Sequence, residues 1–199
     1  MIHPVSFIDK YARAWDLSPM QTEIITNREV NAVQIPSGDP FTLPAGTAVI
    51  ITQTLGGSYT VATQSGLARI SSDDADALGI DPNEKESNDG DSLPSDASQE
   101  DQVWHQLKQV FDPEIPVDIV NLGLVYDCTL DEADGKTTAN IKMTLTAPGC
   151  GMGPVIAADA QARVITVEGV TEANVDLVWD PPWNQDMISE EGRMKLGMV

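Results

Sequence analysis

The chain has 199 residues, 41% of them hydrophobic, which is enough apolar material for one modest core or two small ones. Its formal net charge of -20, from 31 acidic and 11 basic residues, would repel a phosphate backbone or an anionic bilayer, so nucleic acid and membrane are not expected partners. No apolar run approaches the about 20 residues that span a bilayer, no basic and apolar leader opens the chain, and Cys128 and Cys150 are too few for a disulfide framework; a soluble, cytoplasmic protein with free thiols is expected.

Residues 1–25 carry Phe7, Tyr11, Trp15 and Leu17 at approximately helical spacing, the pattern of a packing face on a helical lead-in. Residues 29–34, 48–55, 59–63 and 67–70 are rich in Val, Ile, Thr and Tyr and predict short strands. Pro36-Ser-Gly-Asp-Pro40, Pro44-Ala-Gly46, Gly56-Gly-Ser58 and Gln64-Ser-Gly66 are the breaks between them. Strands so short and closely spaced predict a small β-barrel-like domain over 1–70, and no catalytic constellation falls within it. Over 71–99 the periodicity is lost and nine acidic residues gather against Lys85 alone, which reads as a solvated acidic linker. Residues 73–78 could form a short helical turn closing the domain before it.

Ser98 with Asp101 three residues on gives a capping-box start to a helix whose Val103, Trp104, Leu107, Val110 and Phe111 form one stripe, with Pro113 as its stop. Residues 125–130 and 137–145 predict a hairpin around Asp134-Gly135, with Ala139, Ile141, Met143 and Leu145 on one face. Tyr126, Cys128 and Leu130 share a strand face, which makes Cys128 a packing residue. Pro154 suits the first position of a helix running to about Val167, ended by Gly169. A parallel strand with Ala173, Val175, Leu177 and Trp179 follows through a right-handed crossover, and a short helix begins near Ser189 and stops at Gly197. The fold expected is α+β: the small β domain, then a compact α-β-β-α-β-α domain over 100–199 with a three-stranded mixed sheet.

Chemistry is expected at Cys150, set among Gly149, Gly151 and Gly153 where a strand passes into a helix. Backbone N–H groups and the helix dipole bias such a thiol toward thiolate, able to bind a metal or attack an electrophile. Alternatively the glycines only permit a tight turn and Cys150 is a small apolar filler. The loop lacks the lysine and spacing of a P-loop. Asp112-Pro-Glu-Ile-Pro116 presents Asp112 and Glu114 at a helix end, where they either cap local N–H groups or approach Cys150 and complete a metal shell. Trp179-Asp-Pro-Pro-Trp-Asn184 offers Trp179 and Trp183 on a stiff loop, as partner anchors or as cover for the open end of a core. His3 and His105 belong to no ligand pattern, and His105 falls within the first helix of this domain, so a thiol enzyme lacks a base and a non-enzymatic protein is expected.

In combination, Asp112-Pro-Glu-Ile-Pro-Val117, Asn121-Leu-Gly-Leu-Val-Tyr126, Thr144-Leu-Thr-Ala-Pro-Gly-Cys150 and Trp179-Asp-Pro-Pro-Trp183 resemble the SufT family of bacterial iron-sulfur cluster assembly factors. Ile35-Pro-Ser-Gly38, Leu43-Pro-Ala-Gly46, Thr52-Gln-Thr-Leu-Gly-Gly-Ser-Tyr59, Ala68-Arg-Ile70 and Ala75-Asp-Ala-Leu-Gly79 extend the resemblance into the first half. For 100–199 the resemblance implies the small DUF59-type α/β domain shared with PaaD-like proteins. It also implies a role in maturing iron-sulfur proteins with the scaffold or carrier proteins of the SUF system and apo iron-sulfur clients. By position, Cys150 corresponds to the family's notable cysteine, Thr146 to the threonine four residues before it, and Asp112 and Glu114 to its acidic turn.

Whether the family binds a cluster itself or only docks clients is not taken from the resemblance: the cofactor expected is a transient iron-sulfur cluster, or none. Such clusters normally take four thiolates, and one chain has two sulfurs from cysteine. Cys150 from both subunits of a homodimer, a partner's cysteines, or small thiols and carboxylates would have to complete the shell. In the alternative reading the chain is an adaptor that docks clients to cluster carriers and binds no cluster itself.

Overall fold

The computed structural model describes residues 23–81, 93, 94 and 96–198. Phe7, Tyr11, Trp15 and Leu17 of the expected lead-in, His3, and the middle of the acidic linker lie outside the described residues.

Among the described residues the first half forms six strands, β1 (Glu23–Ile25), β2 (Val30–Ile35), β3 (Pro40–Leu43), β4 (Ala48–Leu55), β5 (Ser58–Thr63) and β6 (Gly66–Ile70), in one antiparallel sheet ordered β1-β4-β5-β6-β2-β3. This corrects the barrel-like expectation: β1 and β3 stand at opposite ends of an open sheet. Two strands escape the sequence reading. β3 lies between two proline-marked breaks, and Pro40 is tolerated because it opens an edge strand, where no ladder N–H is required. β1 falls at the end of the stretch read as helical and pairs Ile24 with Val49. The expected helical turn after β6 is a 3₁₀ turn, Ser72–Leu78, whose Ala75, Ala77 and Leu78 are buried with Val30, Val49, Val61 and Ile70. Its acidic residues face outward, and Arg28 pairs with Asp74 at 2.9 Å, so the front of the acidic stretch is seated on the sheet.

The second half is built from α1 (Gln99–Leu107), β7 (Val125–Ala133), β8 (Lys136–Met143), α2 (Gly153–Val164), β9 (Val170–Leu177) and α3 (Glu190–Lys195). Its sheet runs β7-β8-β9, with β8 antiparallel to β7 and parallel to β9, so the expected element order and mixed sheet are found. Asp134 and Gly135 turn the hairpin with φ of 52° and 72°, the left-handed pair that a two-residue turn demands. The capping box at α1 forms as read: Ser98 accepts from the Asp101 N–H, and Asp101 accepts from that of Ser98.

Both longer helices end earlier than their apolar stripes suggest. Past Leu107 the Val110 carbonyl accepts from the Ile119 N–H at 2.9 Å and Phe111 bridges to Asp118, so pairing across the turn replaces helix continuation. Past Val164 the Thr166 hydroxyl donates to the Arg163 carbonyl at 2.7 Å, and the chain tightens toward Gly169. β9 ends at Leu177, so Trp179 lies beyond the strand. Leu107, Leu122, Leu124, Ile141, Met143, Ile156 and Val164 make the core of this half. Ile35, at the end of β2, is buried in the same core although it belongs to the other sheet.

Candidate functional site

β8 delivers the chain to the site under tight constraint. The Met143 carbonyl accepts from Val178 N–H and the Thr144 N–H donates to the Leu124 carbonyl, both at 2.8 Å. Met143, Thr144 and Leu145 are all buried, which breaks strand alternation and bends the chain out of the sheet. Gly149 takes φ of 83°, the Cys150 N–H donates to the Ala147 carbonyl, and the Cys150 carbonyl accepts from the Gly153 N–H as α2 begins. Pro154 occupies the first turn of α2, and Met152 before it offers no side-chain cap to the free N–H groups there. Gly153 has a packing role: an added Cβ would come within 2.5 Å of Leu145 Cδ1.

The two cysteines separate sharply. Cys128 is 8% exposed, and burial, then the acidic Glu100 and Asp127, push its thiol up to about 11. It is the packing residue that strand parity predicts. Cys150 is only partly buried and sits at the rim of the core, which leaves it the accessible sulfur of the pair.

Asp112 is 6% exposed, and its Oδ1 accepts from the Glu114 N–H at 2.8 Å. Burial pushes its carboxyl above the ordinary carboxylate range, opposed by hydrogen bonds from the Glu114 and Ile115 backbone. Glu114 is exposed. Among the described residues no three His, Cys, Asp or Glu side chains gather closely enough to hold a metal ion, so Cys150, Asp112 and Glu114 are not assembled into a shell within one chain. Thr146 is partly buried. Thr144, which the sequence reading passed over, is 1% exposed, and its Oγ1 is the buried side-chain oxygen that lacks a hydrogen-bond partner among the described residues. Periodicity hides it, since the residue after inward-facing Met143 should face outward.

The tryptophan loop divides its two rings between different tasks. Trp183 is partly buried and its Nε1 donates to the Leu122 carbonyl at 2.8 Å, so it closes the core. Trp179 is 45% exposed. Tyr126 ties the loop down by donating to the Pro181 carbonyl at 2.9 Å. Beneath it lies a polar network that residue patterns alone did not reveal. Buried Asp118 accepts from Asn121 N–H and Nδ2, both at 2.8 Å, and Asn121 Oδ1 accepts from the Ser189 hydroxyl at the start of α3.

Residues 100–176 match the family described as iron-sulfur cluster assembly protein. An Fe-S protein maturation auxiliary factor of Porphyromonas gingivalis is 42% identical over 100 residues, 50% of this chain and 92% of the relative. The Fe-S protein maturation auxiliary factor SufT of Staphylococcus aureus is 42% identical over 89 residues, 45% of this chain and 98% of the relative. A solved structure of a domain of unknown function, DUF59, from Bacillus anthracis is 42% identical and covers 51% of this chain and 93% of its own, with a TM-score of 0.45. No helix among the described residues is long and apolar enough to cross a membrane.

Proposed function

The chain belongs to the iron-sulfur cluster assembly protein family, and from that premise we propose that it is a maturation factor that passes iron or a cluster to client proteins through the Cys150 loop. The observation that carries the reading is the contrast between the two sulfurs. One is sealed in the core with its thiol near 11, and the other is partly exposed on a strand-to-helix loop at the rim of the core.

The cargo is substrate here, held in passing. Cluster irons normally take cysteine thiolates at four positions, and one chain offers a single accessible one. A second copy of the chain, the partner's cysteines or small thiols supply the rest. A shell with one thiolate from each chain favours release over storage, because most of its ligands exchange for those of the receiving protein without unfolding this one. Asp112 is buried and held by the turn that follows it, while Glu114 remains in solvent. Trp179 supplies the exposed ring by which SUF scaffold or carrier proteins and apo clients dock, with Trp183 holding the loop in place behind it. The relatives are named as auxiliary factors, and no catalytic turnover forms part of this reading.

Anaerobic reconstitution with iron and sulfide tests it. The parent chain should acquire visible charge-transfer absorption and bound iron, and Cys150→Ser should lose both while keeping its melting temperature. Equal iron binding by Cys150→Ser, or none by the parent, would sink direct delivery through this thiol.

A further inference from the structure

The Cys150 loop is covered by the other half of the chain. Pro36-Ser37-Gly38, the turn between β2 and β3, lies on Gly151 so closely that a Cβ added at Gly151 would overlap the Ser37 carbonyl. One added at Gly38, whose φ is 77°, would overlap the Gly151 carbonyl. Neither approach leaves room for a side chain at Gly38 or Gly151. Further attachments fix the cover, among them Gly56, which lies on the Gln109 carbonyl. Ile35 enters the core beneath, Arg69 of β6 pairs with Asp159 of α2, and Arg163 of α2 donates to the Gly56 carbonyl at the β4–β5 turn.

The seating is nevertheless discontinuous. A cleft of about 400 Å³, lined by Asn31, Phe41, Ser71 and Asp74 on one side and Val155 and Asp159 on the other, runs between the sheet and α2. Contact is made by turns, two arginines and the inserted Ile35 around an open space, a pattern that can part without unfolding either sheet. The single-unit relatives are matched over 92% and 98% of their own length by about half of this chain, which leaves no stretch in them long enough for six such strands. The cover is therefore absent from these two relatives, although the turn motifs of the first half extend the family resemblance.

We propose that the six-stranded sheet is an intramolecular cap on the Cys150 loop, which a docking partner must displace or lift to reach the thiol. Its significance rests on the delivery reading above, but its existence does not, because alkylation reads thiol access with no metal present. The sealed Cys128 contributes little to labelling under native conditions, and Cys150→Ser gives the residual background.

The test is the native iodoacetamide labelling rate of the full chain and of Arg69→Ala, Asp159→Ala and Arg163→Ala. Removing either arginine takes away positive charge, which by electrostatics alone would slow a thiolate reaction, whereas removing Asp159 would speed it. Uncapping predicts that all three label faster, by about five-fold, as expected for loss of one partly buried clamp. Arginine variants that label at the parent rate or more slowly would overturn the cap. Because Arg163 lies in α2 and Arg69 in the sheet, the test survives if one variant fails to fold, which far-ultraviolet circular dichroism would reveal. If labelling accelerates and reconstitution still yields no bound iron, the cap stands and the delivery reading falls.

Discussion

Asp118→Ala is expected to destabilise the full chain by about 3 kcal/mol, roughly a 6 to 12 °C fall in melting temperature for a chain of this length. Asp118 is 2% exposed and accepts three hydrogen bonds, from Val120 N–H at 3.1 Å and from Asn121 N–H and Nδ2 at 2.8 Å. Alanine leaves those donors without an acceptor in a place water enters poorly, and desolvated donors cost more than a neutral hydrogen bond contributes. Lys195, 3.9 Å away and 45% exposed, adds little to that cost. The loss should spread, because the Asn121 carbonyl accepts from the Ser189 N–H at 2.9 Å and its side chain accepts from the Ser189 hydroxyl. Faster amide exchange across α3 is the accompanying signature. Asp118→Asn keeps the oxygen that accepts from the Val120 and Asn121 N–H groups but sets its amide against Asn121 Nδ2, so it should lose less than alanine does. A denaturation midpoint for Asp118→Ala equal to that of the parent would show that the network does not hold the C-terminal segment.

Gly123→Ala should cost a comparable amount, about 3 kcal/mol, by a different route. Gly123 has φ of 71°, a backbone conformation that penalises any Cβ. The added carbon would also overlap the Met187 carbonyl, a backbone atom that no side-chain rotation can move aside. Met187 closes the 3₁₀ turn Gln185–Met187, which joins the tryptophan loop to α3. Relief would push that turn away and stretch the bond from Trp183 Nε1 to the Leu122 carbonyl. Red-shifted tryptophan emission together with a lowered melting temperature is the predicted pair of observations. Unchanged emission and melting would mean that the turn is not seated on Gly123. Asp118, Asn121 and Gly123 share partners, so their costs should not add, and a double-mutant cycle would show coupling.

These two substitutions explain what one family motif does. Asn121-Leu-Gly-Leu-Val-Tyr126 carries resemblance without carrying chemistry: Asn121 and Gly123 hold the C-terminal segment, and Leu122 and Leu124 fill the core. Strand alternation and helix spacing made the α-β-β-α-β-α order legible, because β8 buries Ala139, Ile141 and Met143 as its pattern says, and Ser98 and Asp101 make the cap that their spacing implies. Cys128 and Cys150 were separable in the same way, by strand parity and by position in a glycine loop.

What stayed illegible depends on long-range partners. The end of α1 is decided by Ile119 pairing with Val110, which lies nine residues earlier and leaves no local trace. β3 is hidden between prolines and exists because β2 offers it an edge. Thr144 is buried by a bend after Met143 that alternation argues against. The apposition of Gly38 and Gly151 spans the two halves, and each glycine alone reads as an ordinary turn residue. Local pattern specifies elements; which loops meet is settled by packing between them.

Client activation tests the central claim most directly. A cluster-loaded carrier and an apo iron-sulfur client would be mixed anaerobically, and recovery of client activity followed with no addition, with the parent chain, or with Cys150→Ser. The parent should accelerate recovery, and Cys150→Ser, folded and melting with the parent, should leave the rate where it stands without addition. Acceleration by Cys150→Ser equal to that of the parent would contradict delivery through this thiol and leave docking as the whole of the chain's contribution.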